Sequence, residues 1–377
     1  MKLFVPKEMD SAETRVPLLP TDVGKLVKLG AEVEAEAGIG ESINIPDHAY
    51  ESAGAQISND RGVSLSGTDI VLRISVPAGG DIRKLGQGCV HISYMDPFNS
   101  FEVVKEFAAR KVSGISLEMI PRTTIAQKMD VLSSQANLAG YIAVVLAARR
   151  QQKIFPMMMT PAGTIPPARV FVIGAGVAGL QAIATAKRLG ARVDAFDVRP
   201  EAQEQILSLG AKPLNIDLGE TGKTKDGYAK QLTNEQLDKQ RDAMAKQCAQ
   251  SDVVITTAKV FGRKAPLIVT NKMLDGMKPG SVVVDLAVET GGNVEASELA
   301  KEVERKGVTI VGWPELERRA AVPASQMFSS NLYNFMEHFW DEETKSFKLD
   351  RNDEIIQGCL VTHDGEIVNQ VVKAAIG

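Results

Sequence analysis

Short apolar runs alternate with amphipathic segments along the first part of the chain. Leu3 to Val5 predicts a strand, Asp22 to Leu29 a helix that stops at Gly30, and Ala31 to Ala35 a second strand. The same alternation predicts strands at Asp69 to Ser75, Cys89 to Tyr94 and Val112 to Ile115, and a helix at Phe98 to Arg110. Because strands that alternate with helices form a mostly parallel sheet covered by helices, we expect an α/β domain here.

A change in composition then marks a boundary. Asp130 to Arg150 predicts one long helix, and the proline- and glycine-rich run Phe155 to Pro167 follows it. A second series begins after this run, with strands predicted at Val170 to Ile173, Ala191 to Phe196, Val253 to Thr256 and Ser281 to Leu286, and a helix that ends at Leu189. This pattern predicts a second α/β domain.

The end of the chain returns to a helix, Ser325 to Trp340, and to a hairpin-like piece that starts at Gly358. This tail is too short for a third domain, so we expect it to complete the first. The predicted fold class is therefore α/β, with two Rossmann-like doubly wound domains and a cleft between them. The predicted domains are residues 1–136 plus 323–377, and residues 137–322.

Composition agrees with a folded two-domain protein. The chain of 377 residues exceeds the size at which one hydrophobic core keeps growing, and its 44% hydrophobic and 24% charged residues are typical of globular proteins. A formal net charge of -4 offers no basic surface for nucleic acid. Charged residues near the N-terminus and the short apolar stretch Leu138 to Ala148 predict neither secretion nor a membrane span.

The cysteines and histidines give no sign of a metal site. Cys89, Cys248 and Cys359 lie far apart without CxxC spacing, and the four histidines show no HExxH or paired spacing. We predict reduced thiols and no bound metal.

A glycine pattern follows the strand at Val170 to Ile173 and opens the next helix. Its residues are Gly174, Ala175, Gly176, Val177 and, after one more position, Gly179. In this context the first glycine permits a tight turn, the second lets backbone approach a pyrophosphate, and the third lets helix and strand pack closely. The N-terminus of the helix supplies N–H donors to phosphate. The pattern predicts a dinucleotide site, although a glycine-rich turn that binds nothing has the same spacing.

Asp197 ends the next predicted strand, where a carboxylate bonds the adenine ribose hydroxyls and repels a 2′-phosphate. This position favours NAD(H) over NADP(H). Val198 and Arg199 follow as further cofactor-binding candidates, and the charge of Arg199 would soften the repulsion.

One segment resembles a known family more specifically than any nucleotide motif does. Pro121 to Tyr141, which reads PRTTIAQKMDVLSSQANLAGY, closely resembles the Arg-Gln-Asp loop of proton-translocating transhydrogenases. The similarity covers nearly the whole chain and includes Val5 to Glu8, Thr14 to Val16, Met157 to Arg169 and Met277 to Ala287.

The resemblance implies catalytic roles for Arg122, Gln127, Asp130 and Ser133, which would contact the nicotinamide and ribose of NAD or organise the hydride-transfer face. The residue types suit this, because Arg122 and Asp130 can pair and a glutamine amide can both donate and accept. Without the resemblance, a loop with a surface ion pair before a helix explains the same residues.

The resemblance also covers Asn215 to Gln231, which is similar to the family's mobile loop over bound NAD, with Tyr228 as its aromatic lid. Gly227, Gln240 and Lys259 fall at positions expected near the nucleotide. From composition alone, the run is equally an exposed linker.

The implied activity is that of an NAD(P)+ transhydrogenase of the Si-face/Re-specific, proton-translocating class, active only with partner subunits. Hydride would pass directly between NAD(H) on this chain and NADP(H) on a partner subunit, while a membrane-spanning subunit couples the exchange to proton translocation. The family further implies a homodimer and a cytoplasmic location, peripheral at the inner face of the cytoplasmic membrane.

Two alternatives remain from the sequence. Alanine dehydrogenases share both domains, and Arg15 matches their first-domain arginine, but Ser75-Val-Pro77 and Tyr94 stand where those enzymes have a catalytic lysine and histidine. Arg15 is then either a salt-bridged remnant or a carboxylate anchor. The second alternative is an NAD(H) sensor without hydride transfer.

Overall fold

The computed structural model describes residues 1–216 and 233–376. The chain divides into two compact units, which we call unit 1 (Met1–Gln135 with Arg318–Gly377) and unit 2 (Ala136–Glu317). The boundaries expected from the sequence, 136/137 and 322/323, lie beside these two divisions.

The N-terminal portion of unit 1 alternates strands and helices. Its elements are β1 (Lys2–Val5), α1 (Pro20–Lys28), β2 (Glu32–Glu36), α2 (Asp47–Ser52), β3 (Gln56–Ser58), α3 (Arg61–Ser66), β4 (Ile70–Leu72), α4 (Gly79–Ile82), β5 (Val90–Ser93), α5 (Phe101–Ala109) and β6 (Ser113–Ser116). Two 3₁₀ helices, Leu117–Met119 and Ile125–Met129, lead to α6 (Val131–Arg150).

Unit 2 continues the alternation. Its elements after α6 are β7 (Met158–Thr160), β8 (Gly163–Ile165), β9 (Arg169–Ile173), α7 (Val177–Arg188), β10 (Arg192–Phe196), α8 (Glu201–Ser208), β11 (Lys212–Pro213), α9 (Asn234–Gln250), β12 (Val253–Thr256), α10 (Asn271–Asp275), β13 (Val282–Asp285), β14 (Lys301–Arg305) and β15 (Val308–Gly312).

The tail returns to unit 1. Its elements are α11 (Ala321–His338), β16 (Trp340–Asp341), β17 (Ser346–Phe347), α12 (Glu354–Cys359), β18 (Leu360–His363), β19 (Glu366–Ile367) and α13 (Gln370–Ile376). Helix α11 starts before the Ser325 expected from the sequence, because Pro323 lies in its first turn, where a proline is tolerated.

Both main sheets have the doubly wound order. In unit 1 the order is β19-β18-β6-β5-β4-β1-β2-β3, and β1 to β6 run parallel. In unit 2 the order is β11-β10-β9-β12-β13-β15-β14, with only β14 antiparallel to its neighbour. Each sheet therefore has a switch point, between β1 and β4 in unit 1 and between β9 and β12 in unit 2, where ligands bind in folds of this kind. The predicted fold class is confirmed for both units.

Alternating side chains build two cores on the sheet of unit 1. Leu3 and Ile70 join one buried cluster, together with Phe328 and Leu332 of α11. Phe4, the neighbour of Leu3, joins a cluster on the opposite face. Because successive strand residues point to opposite faces, a strand buried on both faces is a continuous apolar run.

Strand β4 is shorter than the sequence pattern predicted. The expected strand ran to Ser75, but the N–H groups of Ile74 and Ser75 donate to the carboxylate of Glu8, at 2.7 and 3.3 Å. A side chain thus takes donors that regular pairing would use, which the local pattern could not indicate.

Helix α6 is apolar on all sides. Among the described residues it alone has the length and composition of a membrane-crossing helix, and 44% of its most apolar window is buried in the protein. Core helices of soluble proteins pass the same test.

Candidate functional site

The glycine turn of unit 2 has the geometry that its sequence predicted. Gly174 follows β9 with φ +96°, a conformation that favours glycine, and its N–H donates to the carbonyl of Phe196 at 2.8 Å. A Cβ on Gly179 would lie 1.9 Å from the carbonyl oxygen of Gly174. These two glycines are therefore required by the fold of the turn itself.

Gly176 differs from the other two glycines. It is the N-cap residue of α7 and has an ordinary φ of -76°, and a Cβ there would meet no atom within 4 Å. Its lack of a side chain therefore leaves open space at the helix N-terminus, where oriented N–H groups favour an anion. Val177, the first residue of α7, is exposed beside it.

Asp197 is tied to the same turn. Its Oδ2 accepts from the N–H of Ala175 at 2.7 Å, and Arg199 donates to both carboxylate oxygens at 2.9 Å. Burial opposes ionisation of Asp197, but the hydrogen bonds from Arg199 and Ala175 outweigh it and lower the pKa of the carboxyl. Asp197 is thus a buried anion at the end of β10, with Val198 between it and Arg199.

Sequence reasoning missed the residues that hold this turn from the neighbouring strand. The hydroxyl of Thr257, just after β12, donates to the carbonyl of Gly174 at 3.1 Å. Asn293 binds both the N–H and the carbonyl of Ala258, at 3.0 and 2.8 Å. Asp285 accepts from the N–H of Asn293 at 3.0 Å. The switch-point rule would have indicated Thr257, whereas Asn293 and Asp285 have no local sequence signal.

The remaining cofactor candidates lie elsewhere in unit 2. Gln240 is buried in α9, and within the described ranges its Oε1 has no hydrogen-bond partner. Lys259, next to Ala258, forms a short ion pair with Glu289. Burial lowers the pKa of this lysine, but Glu289 and two further glutamates outweigh it and raise the pKa. Gly227 and Tyr228 lie outside the described residues.

The loop candidates of unit 1 come together. Arg122, Gln127, Asp130 and Ser133 all line one pocket of about 370 Å³. Residues that are close in sequence but separated by a 3₁₀ turn thus face a common space.

Asp130 shapes the end of this loop. Its Oδ1 accepts from the N–H of Ser133 at 2.9 Å, which caps the first turn of α6, and its Oδ2 accepts from the Ser133 hydroxyl at 2.6 Å. Asp130 therefore has a structural role that the sequence did not separate from its expected catalytic one.

Arg15 is engaged within unit 1. Its guanidinium donates to both carboxylate oxygens of Glu13, at 2.8 and 2.6 Å, and to the Gln135 side chain at 3.2 Å. Both charged groups are almost fully buried. This geometry favours the salt-bridged alternative for Arg15 over a carboxylate anchor.

The cysteines are far from any arrangement that suits metal binding. All three are buried free thiols, and burial raises the pKa of Cys89 and Cys248 to about 12. In residues 1–216 and 233–376 no group of three or more His, Cys, Asp or Glu side chains is arranged to hold a metal ion.

Comparisons with known proteins cover the whole chain. The family model described as alanine dehydrogenase/PNT, N-terminal domain, matches residues 4–139, and the one described as alanine dehydrogenase/PNT, C-terminal domain, matches residues 143–370. The chain is 44% identical over 376 residues to an NAD(P) transhydrogenase subunit alpha chain of Rhodospirillum rubrum, with 98% of each chain covered.

Solved structures agree. A transhydrogenase from Sinorhizobium meliloti superposes with a TM-score of 0.88 at 44% identity, covering 98% of this chain and 100% of that one. An L-alanine dehydrogenase gives a TM-score of 0.83 at 23% identity, covering 100% and 99%, which shows a shared fold. The chain belongs to the alanine dehydrogenase/PNT family and, within it, to the NAD(P) transhydrogenase alpha subunits.

Proposed function

We propose that this chain is the NAD(H)-binding component of a proton-translocating transhydrogenase of the Si-face/Re-specific class. In this proposal hydride passes directly between NAD(H) on this chain and NADP(H) on a partner subunit. The observation that carries the proposal is the open space beside Gly176 at the N-terminus of α7, in a chain 44% identical to a transhydrogenase alpha subunit.

The residues of unit 2 fit a dinucleotide. The first turn of α7 has N–H donors and no side-chain cap, so it suits a pyrophosphate. Asp197 is positioned to accept from the ribose hydroxyls, with Ala175, Val198 and Arg199 around it. Gln240 and Lys259 are proposed as further cofactor contacts, as are Gly227 and Tyr228 outside the described residues.

Asp197 is the residue that selects NAD(H). Its lowered pKa keeps it charged at neutral pH, and a buried anion repels a 2′-phosphate. Arg199 already donates to both of its oxygens, so the arginine charge is directed to Asp197 rather than to solvent.

The loop of unit 1 supplies the contacts for catalysis in this proposal. Bound NAD(H) would supply or accept the hydride at its nicotinamide ring, so the protein needs only to orient the ring and exclude water. Arg122 and Gln127 would bind the ribose and carboxamide, while Asp130 and Ser133 fix the start of α6. This division of roles requires neither a nucleophile nor a general base.

The partners are an NADP(H)-binding subunit and a membrane-spanning subunit, which would hold this chain at the inner face of the cytoplasmic membrane. We further propose a homodimer. The hairpin of β7 and β8 is exposed on both strands, with Met159 76% and Ile165 44% accessible. An isolated two-stranded hairpin is marginal in water, and a second copy would cover it symmetrically. Sedimentation of Met159→Lys should give monomers, whereas the unchanged chain sediments as a dimer; a wild-type monomer would refute the dimer.

The proposed activity is tested by mixing the purified chain with an NADP(H)-binding transhydrogenase component. NADH should reduce NADP+ only when both proteins are present. Tight NADH binding without any exchange would instead favour the sensor. Reduction of NAD+ by alanine with this chain alone would favour an alanine dehydrogenase, which the burial of Arg15 against Glu13 does not support.

A further inference from the structure

The loop between Arg122 and Ser133 is anchored by apolar side chains on one face only. Ala126 and Met129 are both fully buried and join the cluster that includes Phe328 and Leu332 of α11. They are three residues apart in the 3₁₀ helix Ile125–Met129, and side chains at this spacing share a face. Gln127 therefore points away from the core and towards the pocket that it lines.

A polar contact joins the same two elements. Asn331 on α11 is buried, and its Nδ2 donates to the carbonyl of Lys128 at 2.9 Å. Its Oδ1 accepts from the hydroxyl of Ser134 at 2.7 Å. One amide side chain thus binds the backbone before Asp130 and a side chain after it.

Only an amide suits this position. A primary amide donates and accepts at once, a carboxylate only accepts, and a methyl does neither. Losing the amide would leave a carbonyl and a hydroxyl in a partly buried setting without their partner, which is unfavourable.

Asn334 provides an internal comparison. It lies one turn further along α11 and also donates to the carbonyl of Lys128, but at 3.2 Å, and it donates to its own helix at Ser330 at 2.7 Å. It is less buried than Asn331. Its amide shares the carbonyl of Lys128, whereas that of Asn331 bridges the two sides of Asp130.

We infer that Asn331 is a positioning residue for the hydride-transfer loop, and that it sets the place of Gln127, Asp130 and Ser133 relative to bound nicotinamide. This inference rests on the proposed function. Asn331 acts through the loop and does not itself touch the nucleotide.

The test compares Asn331→Ala, Asn331→Asp and the matched control Asn334→Ala. Without nucleotide, amide hydrogen exchange across residues 126–134 should be about tenfold faster in both Asn331 variants, since a lost buried hydrogen bond is worth about that factor. With the NADP(H)-binding component, hydride transfer at saturating NADH should fall about tenfold, because small misplacements of reacting groups have large effects on rate. The Kd for NADH should change less than about threefold, since the glycine turn is untouched. Asn334→Ala should match the wild type in every readout.

The inference is overturned if Asn331→Ala exchanges amides and transfers hydride like the wild type. It is equally overturned if both Asn331 variants lose NADH binding and rate in the same proportion, which would be general destabilisation. Asn331→Asp keeps the acceptor for Ser134 and guards against a failure of the alanine variant to fold. The proposed function fails separately, if the wild-type chain gives no exchange, and the amide-exchange result does not depend on it.

Discussion

The switch points of the two sheets have the same strand order and opposite chemistry. In unit 2 the chain leaves β9 through a glycine turn, and open space remains beside Gly176. In unit 1 the crevice between β1 and β4 is filled by the carboxylate of Glu8, which is 4% exposed and accepts from Ile74, Ser75 and Arg73. The same topology therefore gives a ligand site only where the backbone donors are left for a ligand.

The largest expected effect separates two glycines of the turn. Gly179→Ala places a Cβ 1.9 Å from a carbonyl oxygen, so we expect unit 2 to lose about 3 kcal/mol of stability or more and NADH binding to be lost. Gly176→Ala has open space and an ordinary φ, so its Tm should stay at the wild-type value while NADH affinity falls about tenfold or more. Thermal unfolding and NADH titration check both. Wild-type affinity in Gly176→Ala would show that no phosphate approaches this residue.

The switch point of unit 1 should behave in the opposite way. Glu8→Ala leaves Arg73 and two N–H groups without this buried carboxylate, and breaking a buried pair costs about 3 kcal/mol of unfolding free energy. The Kd for NADH should remain within about twofold of wild type, because the nucleotide turn belongs to unit 2. Glu8→Gln, which keeps an acceptor, serves as the control and should be less destabilised in urea unfolding. A loss of NADH affinity in Glu8→Ala as large as that in Gly176→Ala would end the contrast between the switch points.

These contrasts show what could be predicted from the sequence. The glycine turn was predictable because Gly174 and Gly179 are constrained by neighbours along the chain and on the adjacent strand. Glu8 was not, since its partners are distant in sequence and its effect is to shorten a strand that the apolar pattern extends to Ser75. The pocket of Arg122 to Ser133 followed only from a family resemblance, because its support from Asn331 comes from the tail of the chain.

The two units should also differ in their response to pH. Burial raises the pKa of Glu118 to about 7 from 4.5, although the N–H groups of Met95 and Asp96 donate to it. Its protonated form therefore stabilises unit 1 fully below pH 4.5, and this contribution of about 3 kcal/mol is lost as the pH rises through 7. Asp197 has a lowered pKa, so its contribution is present above pH 3.8 and is lost as the pH falls through its folded pKa.

Glu118→Gln isolates the first of these effects. The amide keeps an acceptor for both N–H groups and cannot ionise, so the unfolding free energy should vary less between pH 5 and pH 8 than in the wild type. Chemical denaturation at several pH values measures this. An unchanged pH dependence in Glu118→Gln would mean that this carboxyl does not titrate in that range.

The smallest expected effect on stability concerns Asp130. Asp130→Ala removes the cap of α6 and should cost about 1 kcal/mol, whereas Asp130→Asn keeps an acceptor for the N–H of Ser133 and should be nearly as stable as wild type. The asparagine variant nevertheless disturbs the bond from the Ser133 hydroxyl, so hydride transfer should fall about tenfold in it. Wild-type transfer by Asp130→Asn would leave Asp130 as a helix cap alone.

The most direct test of the account follows the hydride itself. NADH deuterated at either C4 position is mixed with NADP+, the purified chain and an NADP(H)-binding component. We predict that one of the two labelled forms transfers its deuterium to NADPH without loss to water, and that the chain alone transfers none. Release of the deuterium to solvent, or exchange by the chain without the NADP(H)-binding component, would contradict direct transfer between two nucleotides on separate subunits.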